Sequence, residues 1–335
     1  MNFKTILFVL IISISNIFSQ SVQIFSHIGN FITLSGDTIK DCRVGYRTFG
    51  KLNDEKSNAI IYCSSFGGTS ESIGSLIEKR NFVDTLNYFV IAFDALGNGV
   101  SSSPSNYHNN SFPEITITDM VNSQYITLTK NLGIERLYGA IGGSMGSMQV
   151  LEWAATYPLF IDKIAAYVSS PKLTSYDLLW MNTQLKMMEI LRKYGASERE
   201  IKTLSNMMTA WISRSPEHIN ENVKLEEFQN YFAKFENDPS ETFTNDNYIS
   251  QMKAMINHDI SRKYNYSLEE TAVSIKSELF FIVAKNDMMV SPETSIKLAE
   301  LTKARLTILE NDCGHLAVSC EFDKVKEEID DFLNN

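Results

Sequence analysis

Apolar residues in this chain fall into short unbroken runs, separated by longer stretches in which they recur at helical spacing. The runs lie at 59–63, 88–93, 137–141, 164–168, 279–284 and 306–309. A continuous apolar run of that length suits a strand covered on both faces. Helical spacing occupies 119–132, 147–157, 292–302 and 323–333. Ser291 is placed to cap the third of these, with Pro292 at its first helical position. Strands alternating with helices imply a mostly parallel sheet flanked by helices, an α/β fold. Ahead of it, residues 33–50 read as an antiparallel strand pair.

Between 174 and 274 the rhythm breaks. The segment has no good strand and is rich in helix formers, methionine and aromatic residues. They include Trp180, Met181, Met187, Met188, Met207, Met208, Trp211, Phe228, Tyr231, Phe232, Met252 and Met255. We expect a helical cap inserted between late strands. The division is then 20–173 with 275–335 for the core domain and 174–274 for the cap. Most of those side chains must form the cap's own core and its seam with the sheet. A few are expected to line an adaptable apolar pocket, which suits methionine and aromatic rings.

Composition narrows the class. The 335 residues are 44% apolar and 21% charged, which excludes a disordered chain or a collagen-like repeat. Thirty basic against 40 acidic side chains leave a net charge of −10. Without a Lys/Arg tract there is no footprint for nucleic acid and no polybasic patch for anionic lipid.

The first residues read as a secretory leader spanning 1–19. Lys4 is followed by an apolar run at 6–12, and Ser19, Gln20 and Ser21 offer small and polar residues for cleavage. The alternative is a retained membrane anchor, since 5–26 is uncharged, although only its first part is strongly apolar. Cleavage would release a secreted or periplasmic protein with no stable membrane insertion. In that compartment Cys313 and Cys320 are close enough in sequence to staple one loop. Equally, they and Cys42 and Cys63 read as buried free thiols.

The chemistry concentrates at 142–146, Gly-Gly-Ser-Met-Gly, between a predicted strand and a predicted helix. A G-x-S-x-G there is a nucleophile elbow. Ser144 sits on a sharp turn, and Gly142 and Gly146 must be small because they pass close to one another. The turn is neither a P-loop nor a G-x-G-x-x-G dinucleotide loop.

A serine hydroxyl needs a base. Where such an elbow tops a parallel sheet, the partners follow in the order Ser, acid, His. Of five histidines, His27 and His108 precede Ser144, and His218 and His258 lie in the insertion. His315 remains, in a loop after the last predicted strand. Asp287 follows the strand before it and is the acid that would orient the imidazole. The oxyanion hole is assigned to the backbone N–H groups of Met145 and Phe66, the latter in a small, Gly-rich loop after the 59–63 strand. No metal or organic cofactor is implied.

These residues resemble the α/β-hydrolase superfamily, and within it the homoserine O-acetyltransferase branch. The likeness rests on GYRTFGKLN at 45–53, DALGNG at 94–99, FPEITITDMV at 112–121 and GGSMGSMQVLEWA at 142–154, with 247–255 and 258–260 in the insertion. It implies the α/β-hydrolase fold, Ser-Asp-His acyl transfer, a small-molecule ester or acyl substrate, and a homodimer joined through the insertion. The branch carries an Asp after the catalytic His, associated with the amino group of homoserine; here Leu316 stands there. It also carries an Arg, associated with the carboxylate, where Thr242 stands. A zwitterion needs a partner for each charge, so homoserine is not the expected acceptor.

Three readings follow. The first is a secreted serine hydrolase of esterase type. The second is an O-acyltransferase of the same family with another acceptor. The third is a non-catalytic binding protein on the same fold.

Overall fold

The computed structural model describes residues 21–108, 111–236 and 243–335. The leader at 1–19 and Thr242 lie outside the described residues. The strands are β1 (Ile24–Ile32), β2 (Thr38–Phe49), β3 (Ala59–Cys63), β4 (Phe89–Phe93), β5 (Leu137–Gly143), β6 (Ile161–Tyr167), β7 (Glu278–Ala284) and β8 (Arg305–Leu309). They form one sheet in the order β1-β2-β4-β3-β5-β6-β7-β8. β2 runs antiparallel to both its neighbours, and every pairing from β4 to β8 is parallel.

The helices are α1 (Ser70–Arg80), α2 (Ile117–Ile126), α3 (Met145–Thr156), α4 (Ser175–Lys193), α5 (Glu198–Ile212), α6 (Pro216–Asn222), α7 (Phe228–Ala233), α8 (Asn245–Ile256), α9 (Leu268–Ser274), α10 (Glu293–Thr302), α11 (Ala317–Cys320) and α12 (Phe322–Asn334). β3 shows why the sheet needs cover on both sides. Ile61 and Cys63 join a core with Val121, Trp153 and Leu298 of α2, α3 and α10. Ile60 and Tyr62 join the opposite core with Ile73, Ile77, Val325 and Ile329 of α1 and α12. Helices α4 to α9 lie between β6 and β7. No helix of the described residues is long and apolar enough to cross a membrane.

Several boundaries differ from expectation. The antiparallel pair begins at Ile24 rather than at residue 33, and 33–37 is the turn, closed by Thr33 N–H donating to Asp37 O at 2.8 Å. Register shifts at His27–Gly29 and Gly29–Phe31 break the alternation that would mark β1 as a strand. The second helical pattern starts at Met145, directly after Ser144. Pro292 is the N-cap of α10 rather than its first residue, and the Ser291 N–H donates instead to Asp177 Oδ1 at 3.0 Å.

Met181, Met188, Met252 and Met255 are buried in the seam, against Met145, Met148 and Ile115 of the core. Trp211, Phe228 and Phe232 are exposed.

Candidate active site

Ser144 stands between β5 and α3, at the N-cap of α3, with φ 54° and ψ −124°, a strained backbone that a residue with a side chain rarely adopts. The surrounding glycines make the turn feasible. A Cβ on Gly142 would lie 2.2 Å from Gly146 O, and one on Gly146 would lie 2.3 Å from Cys63 O. The Ser144 N–H donates to Tyr167 O at 3.1 Å, which ties the turn to β6. The hydroxyl is thereby raised above the strand ends, at the positive end of α3.

The three residues assigned from the sequence meet here. Ser144 Oγ lies 2.9 Å from His315 Nε2. His315 Nδ1 lies 2.7 Å from Asp287 Oδ2. Asp287 and His315 are buried and Ser144 is half-buried. The other Asp287 oxygen accepts from the N–H groups of Met289 and Val290, both at 2.9 Å. Those two bonds hold the carboxylate plane, so its second oxygen is aimed at the ring.

Met145 N–H is the first amide of α3, and Phe66 follows β3. Among the described residues neither amide donates to a protein acceptor, so both are open to a developing oxyanion. The Phe66 loop is fixed from the insertion. Gly67 N–H donates to Gln251 Oε1 at 2.9 Å, and the Phe66 ring packs edge-on to Tyr248 and Phe243. From the core side, Gln149 Nε2 of α3 donates to Ser64 O at 2.9 Å.

Sequence reasoning missed how the insertion holds the acid and base loops. Trp180 Nε1 donates to Met289 O at 2.9 Å, and Asp177 takes the Ser291 N–H. Burial is the main cause that raises the Asp177 pKa above the usual carboxylate value; hydrogen bonds from Thr174 and Ser291 oppose it, and the Asp287 charge adds to it. On the base side, His315 N–H donates to Ser213 O at 3.0 Å, and Ser215 Oγ donates to Asp312 O at 2.6 Å. The signal available beforehand was the capping pattern of Thr174 and Asp177.

A cavity of about 430 Å³ opens over Ser144 and His315. Its walls include Leu76, Phe82, Tyr167, Val168, Met289, Leu316, Val318 and Phe322. Tyr167 and Tyr62 share a hydroxyl pair at 2.7 Å, and burial pushes both phenols up. None of the twelve methionine and aromatic residues singled out in the insertion lines this cavity. Thr209 and Ser213 are what α5 and its C-cap contribute. Trp180, Met181, Met187, Met188, Met252 and Met255 are spent on the seam, and Trp211, Phe228 and Phe232 are exposed.

Cys313 and Cys320 form a disulfide with His315 inside its loop, and Cys42 and Cys63 are buried free thiols. Burial pushes the Cys42 thiol up to about 12 and the Cys63 thiol still higher. His218, Asp312 and Cys313 bring donor atoms within 4.8 Å of one another. The Cys313 sulfur is committed to Cys320, so it offers no thiolate to a metal.

A family described as alpha/beta hydrolase fold matches residues 58–319. The homoserine O-acetyltransferase of Chlorobium chlorochromatii is 28% identical over 333 residues, covering 91% of this chain and 93% of that protein. A probable acyltransferase of Methanothermobacter thermautotrophicus is 32% identical over 315 residues, covering 89% of this chain and 93% of that protein. The crystal structure of an acetylester hydrolase from Corynebacterium glutamicum superposes with a TM-score of 0.83 over 94% of this chain and 97% of its own, at 22% identity. That last likeness is one of fold.

Proposed function

The chain belongs to the alpha/beta hydrolase family, in its homoserine O-acetyltransferase-like branch of acyltransferases and esterases, and on that premise we propose that it is a secreted serine hydrolase that transfers an acyl group from an ester to water. The observation that carries this reading is the unbroken hydrogen-bonded chain from Ser144 through His315 to Asp287. His315 Nε2 accepts the Ser144 proton as Oγ attacks the ester carbonyl. Asp287 holds the Nδ1–H tautomer and stabilises the imidazolium. The amides of Met145 and Phe66 bind the oxyanion. The tetrahedral species collapses, His315 returns the proton to the departing alcohol, and an acyl-enzyme remains on Ser144. Water, deprotonated by His315, adds to the acyl carbonyl; the second tetrahedral species expels Ser144 Oγ, which takes the proton back from His315, and the acid is released.

Leu316 supports an acceptor other than homoserine. It follows the base and lines the cavity with an apolar side chain, where an amino group would need an acid. Export supports water as acceptor, because an exported enzyme does not ordinarily meet acyl-CoA. A second reading, an O-acyltransferase with a different alcohol, is favoured by the 32% identity to a probable acyltransferase. We also propose a homodimer joined through the insertion, where Trp211, Leu225, Phe228 and Phe232 are exposed.

Acyl-enzyme partitioning tests the main reading. Mature protein is given p-nitrophenyl acetate with and without alcohols and amino alcohols, and the products are identified. Free acetate dominating under every acceptor is the expected result. Transfer outpacing hydrolysis at low acceptor concentration would replace the hydrolase with the transferase.

A further inference from the structure

Building on the hydrolase reading, we propose that Arg80 selects the substrate: the ester taken by this site carries a negatively charged group that lies against the outer wall of the cavity. Arg80 ends α1, and Phe322 starts α12. Both line the same cavity as Ser144 and His315. The guanidinium carbon lies 3.4 Å from the centroid of the Phe322 ring. Stacking of this kind holds the group in place and leaves its in-plane N–H donors pointing away from the ring. Among the described residues no carboxylate pairs with it.

Among the described residues no other Lys or Arg and no Asp or Glu lines this cavity, and its remaining surface is mostly apolar or hydroxyl-bearing. A neutral body is accommodated by Leu76, Phe82, Val318 and Phe322. A carboxylate at the end of that body meets a planar fork with spare donors, which matches it in a bidentate manner. An ammonium in the same place meets a like charge and no counter-charge. The site is thus built to prefer an anionic ester over a cationic one, and the ammonium of an amino-acid acceptor would find no counter-charge on this wall. The alternative role for Arg80 is to shield Phe322 while its head stays in water; that role predicts no charge preference.

Matched substrates distinguish the two. One series puts the charge on the leaving group: 4-acetoxyphenylacetate, 4-methylphenyl acetate and 4-(trimethylammoniomethyl)phenyl acetate. A second puts it on the acyl chain: mono-p-nitrophenyl adipate against p-nitrophenyl hexanoate. Each kcat/KM is normalised to that ester's alkaline hydrolysis rate. In at least one series the anion should be favoured over its neutral analogue on the order of threefold, the size an exposed charge pair supplies, and more at low salt. The anion-to-neutral ratio should fall to about one in Arg80→Met and recover in part in Arg80→Lys, with the preference for anion over cation falling alongside it. Fluorophosphonate labelling of Ser144 checks that each variant is folded and active. A wild-type protein with no charge preference in either series, or a preference that survives Arg80→Met, overturns the inference while leaving the hydrolase reading intact. A wild-type protein that labels with no fluorophosphonate and turns over no neutral ester overturns the hydrolase reading instead.

Discussion

The backbone N–H of His315 donates to the carbonyl of Ser213 across 3.0 Å, so the base of the candidate triad is held by the insertion as well as by its own strand. Ser215, two residues on, reaches back to Asp312 at 2.6 Å. The His315 loop is therefore clamped between the end of α5 and the start of α6. At the other side of the triad, Trp180 and Asp177 of α4 hold the loop that follows Asp287. The insertion thus holds the loops on both sides of the candidate triad.

The hydrogen-bonded chain predicts the outcome of removing its members. Ser144→Ala and His315→Ala should each abolish nearly all turnover of p-nitrophenyl acetate while the circular dichroism spectrum stays native. Asp287→Asn should lower kcat by roughly 10⁴-fold, since the amide favours the wrong tautomer of His315. Near-normal kcat in either alanine variant would remove the assignment.

The clamp predicts a distinct phenotype at Gly314. Its φ is +62°, and a Cβ there would lie 2.9 Å from Ser215 N and 3.0 Å from Ser213 O. Backbone cannot yield as a flexible side chain can, so Gly314→Ala should push His315 away from Ser144. A displacement near 1 Å costs on the order of 10²-fold in kcat. Steady-state kinetics read this, and an unchanged kcat in a folded variant would show that the clamp does not position His315.

The disulfide bears on the same loop. Cys313 and Cys320 are seven residues apart and bracket His315, and closing so short a loop stabilises by about 2 kcal/mol in the chain-entropy account. Cys313→Ser with Cys320→Ser, or reduction of the native protein, should lower the melting temperature and kcat together. A thiol titration should find no reactive group in the native protein, because the two free thiols are buried, and should find them only after denaturation. A reactive thiol in the unreduced native state would contradict this arrangement.

His258 predicts an acid-sensitive stability. It is buried, its Nε2 lies 3.1 Å from Ser170 O, and among the described residues its Nδ1 has no partner. Burial is the main cause that lowers its pKa from 6.5 to about 4; the Ser170 carbonyl and Asp259 pull the other way, and Arg262 adds to the lowering. A folded-state value below the unfolded one means stability that is full above pH 6.5 and lost as the pH falls from 6.5 toward 4. The loss is about 3 kcal/mol. Urea unfolding of wild type and His258→Gln at pH 7, 5.5 and 4 should show a shallower fall for the variant. Parallel curves would mean that His258 is not the group responsible.

Much of this was legible because the relevant signals are local. The run at 59–63 is a strand because every residue in it is apolar and must be covered, and the structure buries all five. Ser144, Asp287 and His315 could be chosen because strand ends, chain order and a short list of histidines constrained them. β1 was misplaced because two register shifts erase its alternation. The pocket lining was misjudged because a methionine at helical spacing reads the same whether it faces a seam or a cavity.

The sequence by itself determined the parallel sheet and the elbow, and it singled out Asp287 and His315 as the proposed acid and base, since each depends on short-range spacing and on the order of the strands. Tertiary structure alone decided which insertion residues grip the triad loops, that Cys313 pairs with Cys320, and that Arg80 stands beside Phe322 in the cavity of Ser144. Arg80 and Phe322 are far apart in the chain, and their meeting depends on how α1 and α12 pack on one face of the sheet. No local pattern encodes that contact, because it is set by the summed burial of two helices and not by any residue near either side chain.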